Sequence, residues 1–187
     1  MVAKNTIKPN STAEVINKAL AEPFESYSDY LFNDRAIPIQ IKHQDAARLD
    51  PVTTTTALKF GWSWNIPLQS RIGTGYVYSS RFASEEDAVD EFRGYLGDSA
   101  KGATPRILKM RVGRTHRSWV KNCVAVGLSS GFIEPLESTA IMTVELTVRW
   151  LLSTLPTTDF EQPPIDQFNR RIGVLYEEVR EIGRAHV

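Results

Sequence analysis

The chain has one cysteine, Cys123, so it can form no internal disulfide and suits a reducing compartment. Neither charge sign is in excess. Its 22 Lys and Arg balance 22 Asp and Glu, leaving no global field to draw nucleic acid or an acidic membrane. No apolar run is long enough to cross a bilayer. The opening MVAKNTIKPNSTAE lacks the apolar core of a secretion signal. The expectation is a cytoplasmic protein without nucleic-acid or membrane partners. Histidine is equally scarce, with His43 and His116 far apart and without partners at ligand spacing, so no metal site is expected. Gly73 and Gly75 begin a G-x-G-x-x-G pattern, but Tyr78 holds the third glycine position and a strand-like run follows.

What is present supports a core: 187 residues, 42% of them hydrophobic. Ser11 and Glu14 form a capping-box pattern before a short helical face ending ahead of Pro23. Asp34–Lys42 alternates like a strand, with Pro38 demanding an edge or a bulge. Leu58–Ser80 reads as two strands, with Leu58, Phe60, Trp62 and Trp64 on one face. Ser84 and Asp87 cap an amphipathic helix that buries Ala88, Phe92 and Leu96 and stops near Gly97. Ile107–Val112 suggests another strand. Beyond Thr139 a helix with a stripe of Ile141, Val144, Val148, Leu151 and Leu155 is favoured over a strand, by length and by Pro156. Pro163 and Pro164 open a last helix with Ile165, Phe168, Ile172, Leu175 and Val179 at helical spacing. The sum is a mixed α/β (α+β) piece with antiparallel strands and flanking helices. The basic run from Arg106 to Lys121 fits a solvated strand face, and Cys123 an inert core thiol.

Asn122–Ile141, NCVAVGLSSGFIEPLESTAI, organises the rest. Val124–Leu128 reads as a buried strand, Ser129–Gly131 breaks it, and a new helix begins after Ser138 and Thr139. A helix start beside a strand end leaves unpaired N–H groups that suit an anion. Glu137 stands immediately before this hydroxyl cap. From spacing alone, an ordinary hydroxyl cap explains the helix start equally well, and an exposed loop glutamate is the better reading of Glu137.

The segment GLSSGFIEPLEST closely resembles the chloride-site region of flavin-dependent tryptophan halogenases, and Gly61–Pro67, GWSWNIP, resembles that family's WxWxIP motif. RIGTGYVYSS and RVGRTHRSW are similar too, and the likeness extends over roughly residues 30–180. It implies part of a FAD-dependent monooxygenase-like fold. Such an enzyme uses reduced FAD, oxygen and chloride or bromide to form a hypohalous acid, which passes through a tunnel to tryptophan or another electron-rich aromatic. A flavin reductase would supply FADH2. By resemblance, the backbone amides of Thr139 and Ala140 hold the halide, although glycine is more usual at the second position. Glu137 and Ser138 touch the indole, and Leu128 and Ile141 line the flavin. Trp62, Trp64, Ile66 and Pro67 keep substrate and flavin apart. Glu134, before Pro135, matches a scaffolding position.

Nothing here matches the family's N-terminal GxGxxG part or its catalytic lysine. Residues 1–181 are therefore expected to be a partial halogenase domain, inactive by itself. The tail IGRAHV, residues 182–187, resembles a translated sequencing adapter and is expected to be non-native. A related flavin-dependent aromatic hydroxylase and a non-catalytic aromatic-binding homologue stay open as alternatives.

Overall fold

A computed structural model describes residues 15–43, 51–133, 136, 138–155 and 161–184. A π-helical turn (Val15–Ala19) precedes strands β1 (Phe24–Ser26), β2 (Arg35–Ile41), β3 (Thr54–Leu58), β4 (Gly61–Pro67) and β5 (Ile72–Tyr78). Helix α1 (Glu85–Leu96), a 3-10 turn (Gly97–Ala100), β6 (Leu108–Lys109), β7 (Gly113–Thr115), β8 (Trp119–Val120) and β9 (Cys123–Val124) follow. A second 3-10 turn (Gly127–Ser129), β10 (Gly131–Phe132), α2 (Ala140–Ser153) and α3 (Gln162–Arg184) complete the described order. The chain divides into two compact units, Phe32–Met110 and the segments Met1–Leu31 with Arg111–Val187. The Ser11–Glu14 capping box falls outside the described residues.

The Phe32–Met110 unit is an antiparallel sheet in the order β3-β4-β5-β2-β6. Alternation puts Ile37, Ile39, Tyr76 and Tyr78 on one face, where Ala88 and Phe92 of α1 close a core. The capping box forms as expected: the Ser84 hydroxyl accepts from Asp87 N at 3.1 Å, and Ser84 N donates to the Asp87 carboxylate at 3.3 Å. Gly97, at φ +56°, ends α1.

Two strand expectations change. A turn at Lys59–Phe60 ends β3 at Leu58, so the stretch holds three strands and the period-two phase resets. Leu58 and Phe60 consequently pack on the core, whereas Trp62 and Trp64 lie on the opposite face, with Ser63 between them buried opposite Tyr76. The strand over Ile107–Val112 shrinks to Leu108–Lys109, which pairs only with Ala36 and Arg35. Pro38, two residues further along β2, has no N–H to continue that ladder and occupies the edge position expected of it.

In the other unit, β1-β7-β10 form a small antiparallel sheet and β8-β9 a hairpin. Helix α3 buries Ile165, Phe168, Ile172, Leu175 and Val179, as its spacing predicts. Trp119 packs edge-on against Phe168 with centroids 5.4 Å apart. Asn169 clamps it, accepting from Trp119 N at 2.8 Å and donating to Trp119 O at 2.9 Å. The helix runs to Arg184, three residues into the segment read as a tail.

Helix α2 forms where expected but buries a different face. Thr143 and Thr147 are inward, while Ile141, Val148 and Leu155 are exposed and Val144 and Leu151 half-buried. Each threonine hydroxyl donates to the carbonyl four residues back, Thr139 O at 2.9 Å and Thr143 O at 2.6 Å. Burial therefore leaves neither hydroxyl unpaired.

The basic run is also more structural than a solvated face. The Arg114 side chain is 11% exposed and pairs with Glu25 at 2.7 Å, while its Nε donates to Tyr27 Oη at 2.9 Å. Tyr27 in turn donates to Glu177 at 2.8 Å. Burial, followed by that bond to Glu177, raises the Tyr27 phenol well above its ordinary value. Arg117 clasps the buried Glu22 through its backbone N, Nε and Nη2.

Candidate functional site at the start of helix α2

The loop before α2 departs from the buried strand expected over Val124–Leu128. Pairing stops at Val124, because Gly127 takes φ +62° and Ser129 folds back on the chain. The Ser129 hydroxyl accepts from Val126 N at 2.9 Å and donates to Val126 O at 2.7 Å. Backbone groups that a ladder would use are satisfied locally. Leu128 consequently turns outward, 71% exposed, and Cys123 is half-buried rather than a core thiol.

After Phe132 the chain reaches Ser138, which is exposed and adopts a left-handed φ of +53°. Thr139 follows in the right-handed region as the residue before α2. Its side chain makes no capping hydrogen bond, in contrast to the hydroxyl cap expected, and its carbonyl accepts from Thr143 N at 2.9 Å. A left-handed residue followed by a right-handed one turns successive N–H groups toward one side, the backbone arrangement of an anion-binding nest. Ala140 opens the helix, exposed, and Ile141 is 82% exposed.

These residues surround a cavity of about 440 Å³. Leu128, Ser138, Thr139, Ala140 and Ile141 all line it, so five of the predicted site residues come together. Glu137 lies outside the described residues, as do Glu134 and Pro135. Phe132, Ile133, Val144 and Tyr176 complete a mostly apolar wall. The approach is close on one side: a Cβ on Gly131 would stand 2.7 Å from both Gly113 O and the Tyr176 ring. Tyr176, on α3, was not among the predicted residues, though its place four after the buried Ile172 puts it on the inward stripe. Burial raises its phenol above the ordinary value, opposed by a hydrogen bond from Ser130. Behind it, Ser130 Oγ lies 2.7 Å from Ser118 Oγ, and Thr115 Oγ1 donates to Ser130 O at 3.0 Å.

The other predicted group, Trp62, Trp64, Ile66 and Pro67, lies on β4 in the Phe32–Met110 unit. The two indoles meet edge-on, with centroids 6.1 Å apart and planes at 61°. Both are half-buried on the face away from α1, so they are not inward core residues. Gly73 and Gly75 lie in β5 and form no dinucleotide turn. Among the described residues there is no group of three metal-ligating side chains and no helix long and apolar enough to cross a membrane. His116 Nδ1 pairs with Glu25, and His43 Nε2 lies 2.6 Å from Leu68 O.

The tryptophan halogenase family model matches residues 11–187. The chain belongs to the tryptophan halogenase family. Its segment is 43% identical to a tryptophan 7-halogenase of Lentzea aerocolonigenes, over 92% of this chain and 33% of that protein. A tryptophan C-6 flavin-dependent halogenase from taromycin biosynthesis superposes with a TM-score of 0.85 at 44% identity, covering 90% of this chain and 34% of that one. The tryptophan 6-halogenase of Streptomyces toxytricini gives 0.86 at 40% identity, covering 90% and 33%. The chain thus spans about a third of the length of these relatives.

Proposed function

We propose that this chain is the central to C-terminal part of a cytoplasmic flavin-dependent halogenase acting on tryptophan or a similar electron-rich aromatic. The observation that carries the reading is the cavity at the head of α2, lined by residues of the segment that resembles the family's chloride-site region. Its volume lies within the range of small-molecule sites, and its apolar wall suits a flat ring. Gly131, whose missing side chain lets the backbone pack against Gly113 and the Tyr176 ring, and Gly127 at φ +62° set the shape of that wall. These residues fit the ring end of FAD. Reduced FAD with oxygen would supply the oxidising equivalent that converts chloride or bromide into an electrophilic halogen.

The chain's own groups would act around that chemistry. The amides of Thr139 and Ala140, at the positive end of α2, hold the halide. Leu128 and Ile141 exclude water from the ring face. Ser138 contacts the aromatic substrate, and the Glu137 carboxylate stabilises positive charge on the attacked ring and takes the proton it loses. Trp62, Trp64, Ile66 and Pro67 form the partition between flavin and substrate. A flavin reductase supplies the reduced cofactor. In the complete halogenase, Glu137→Gln should lower kcat at least about a hundredfold, the usual loss of a positioned acid–base group, with KM for the aromatic nearly unchanged. Unchanged kcat would remove Glu137 from the chemistry.

A further inference from the structure

The tripeptide Gly73-Thr74-Gly75 lies in β5 directly across from β4, with Gly73 opposite Ile66, Thr74 opposite Asn65 and Gly75 opposite Trp64. Neither glycine has positive φ, so the backbone there would accept any residue. Glycine within a strand is otherwise unfavourable. The difference is in the space above each one. A Cβ on Gly73 would meet nothing nearer than 3.9 Å. A Cβ on Gly75 would fall 2.1 Å from both Cζ2 and Cη2 of Trp64. The six-membered ring of that indole therefore rests on the Gly75 backbone. Buried Thr74 holds the same residue by its main chain, its hydroxyl donating to Trp64 O at 2.7 Å. Trp62 then meets Trp64 edge-on.

We propose that Thr74 and Gly75 are positioning residues for the tryptophan pair. Thr74 fixes the Trp64 backbone, and Gly75 sets how low its indole sits on the sheet, which in turn orients Trp62. The functional consequence rests on reading the pair as the partition between flavin and substrate. A side chain at position 75 lifts the Trp64 indole, deforms that partition and lowers the yield of halogenated product per reduced flavin consumed.

The orientation of two adjacent indoles is read by their far-ultraviolet exciton couplet in circular dichroism. In the 187-residue chain, Trp62→Phe should abolish the couplet and so assign it to this pair. Gly75→Ala should abolish or invert it, whereas Gly73→Ala should leave it intact. A couplet unchanged in Gly75→Ala overturns the proposal. Should Gly75→Ala fail to fold, combining it with Trp64→Phe removes the struck indole carbons and should restore the unfolding midpoint of Trp64→Phe alone. A double variant that stays unfolded also overturns it. In the complete halogenase, Gly75→Ala should reduce product per flavin oxidised and Gly73→Ala should not. A lost couplet with undiminished yield would support the positioning role and overturn the partition reading.

Discussion

Ala140, where the family resemblance implies a glycine, stands at the first position of α2 and on the cavity wall. A helical φ suits alanine better than glycine, so the methyl favours the helix slightly while narrowing the space in front of the amides. In the complete halogenase, Ala140→Gly should lower the chloride concentration needed for half-maximal rate and cost at most about 1 kcal/mol of stability. An unchanged chloride dependence would mean the methyl does not crowd the ion. Ser138 next door shows how sequence motif and backbone differ as sources. Its place in GLSSGFIEPLEST was legible, but its left-handed φ was not, because that conformation is rare for a residue other than glycine. Arg114 was equally opaque. As one member of a basic run it resembles solvated charge, and only the approach of Glu25, Glu177 and Tyr27 from distant segments makes it a buried hub.

At the scale of elements, α1 was read most fully, because its signals are local: a capping box, an i,i+4 apolar pair and a terminal glycine. Its cap also carries a pH dependence. Hydrogen bonds from the Ser84 hydroxyl and then its backbone N–H hold the Asp87 carboxyl below its ordinary value. With the folded value depressed, this stabilisation is present above the ordinary carboxylate pKa and is lost as pH falls through the lowered one. Asp87→Asn should therefore have a lower urea midpoint than wild type near neutral pH, with the gap closing on acidification. A gap constant across that window would contradict the assignment. Helix α2 shows where periodicity fails. Its apolar stripe predicts the inward face, yet threonines that bond back to their own helix can be buried at little polar cost. The β4 face differs from the period-two expectation for a related reason, since a turn at Lys59–Phe60 resets the alternation that runs to Leu58.

At the scale of the whole molecule, family membership was legible because two long motifs survive in the family's order, and the match extends over residues 11–187. The segment spans about a third of its relatives, so the proposed activity belongs to the complete halogenase, and the isolated chain should not halogenate indoles. The proposed halogenation depends on the head of α2 holding a halide beside an aromatic-sized cavity. The most direct test supplies the complete halogenase with reduced FAD, oxygen and tryptophan or indole, with chloride, with bromide and with neither. The expected outcome is a chlorinated product, then a brominated one, then none. A hydroxylated product, or one formed equally well without halide, would contradict it.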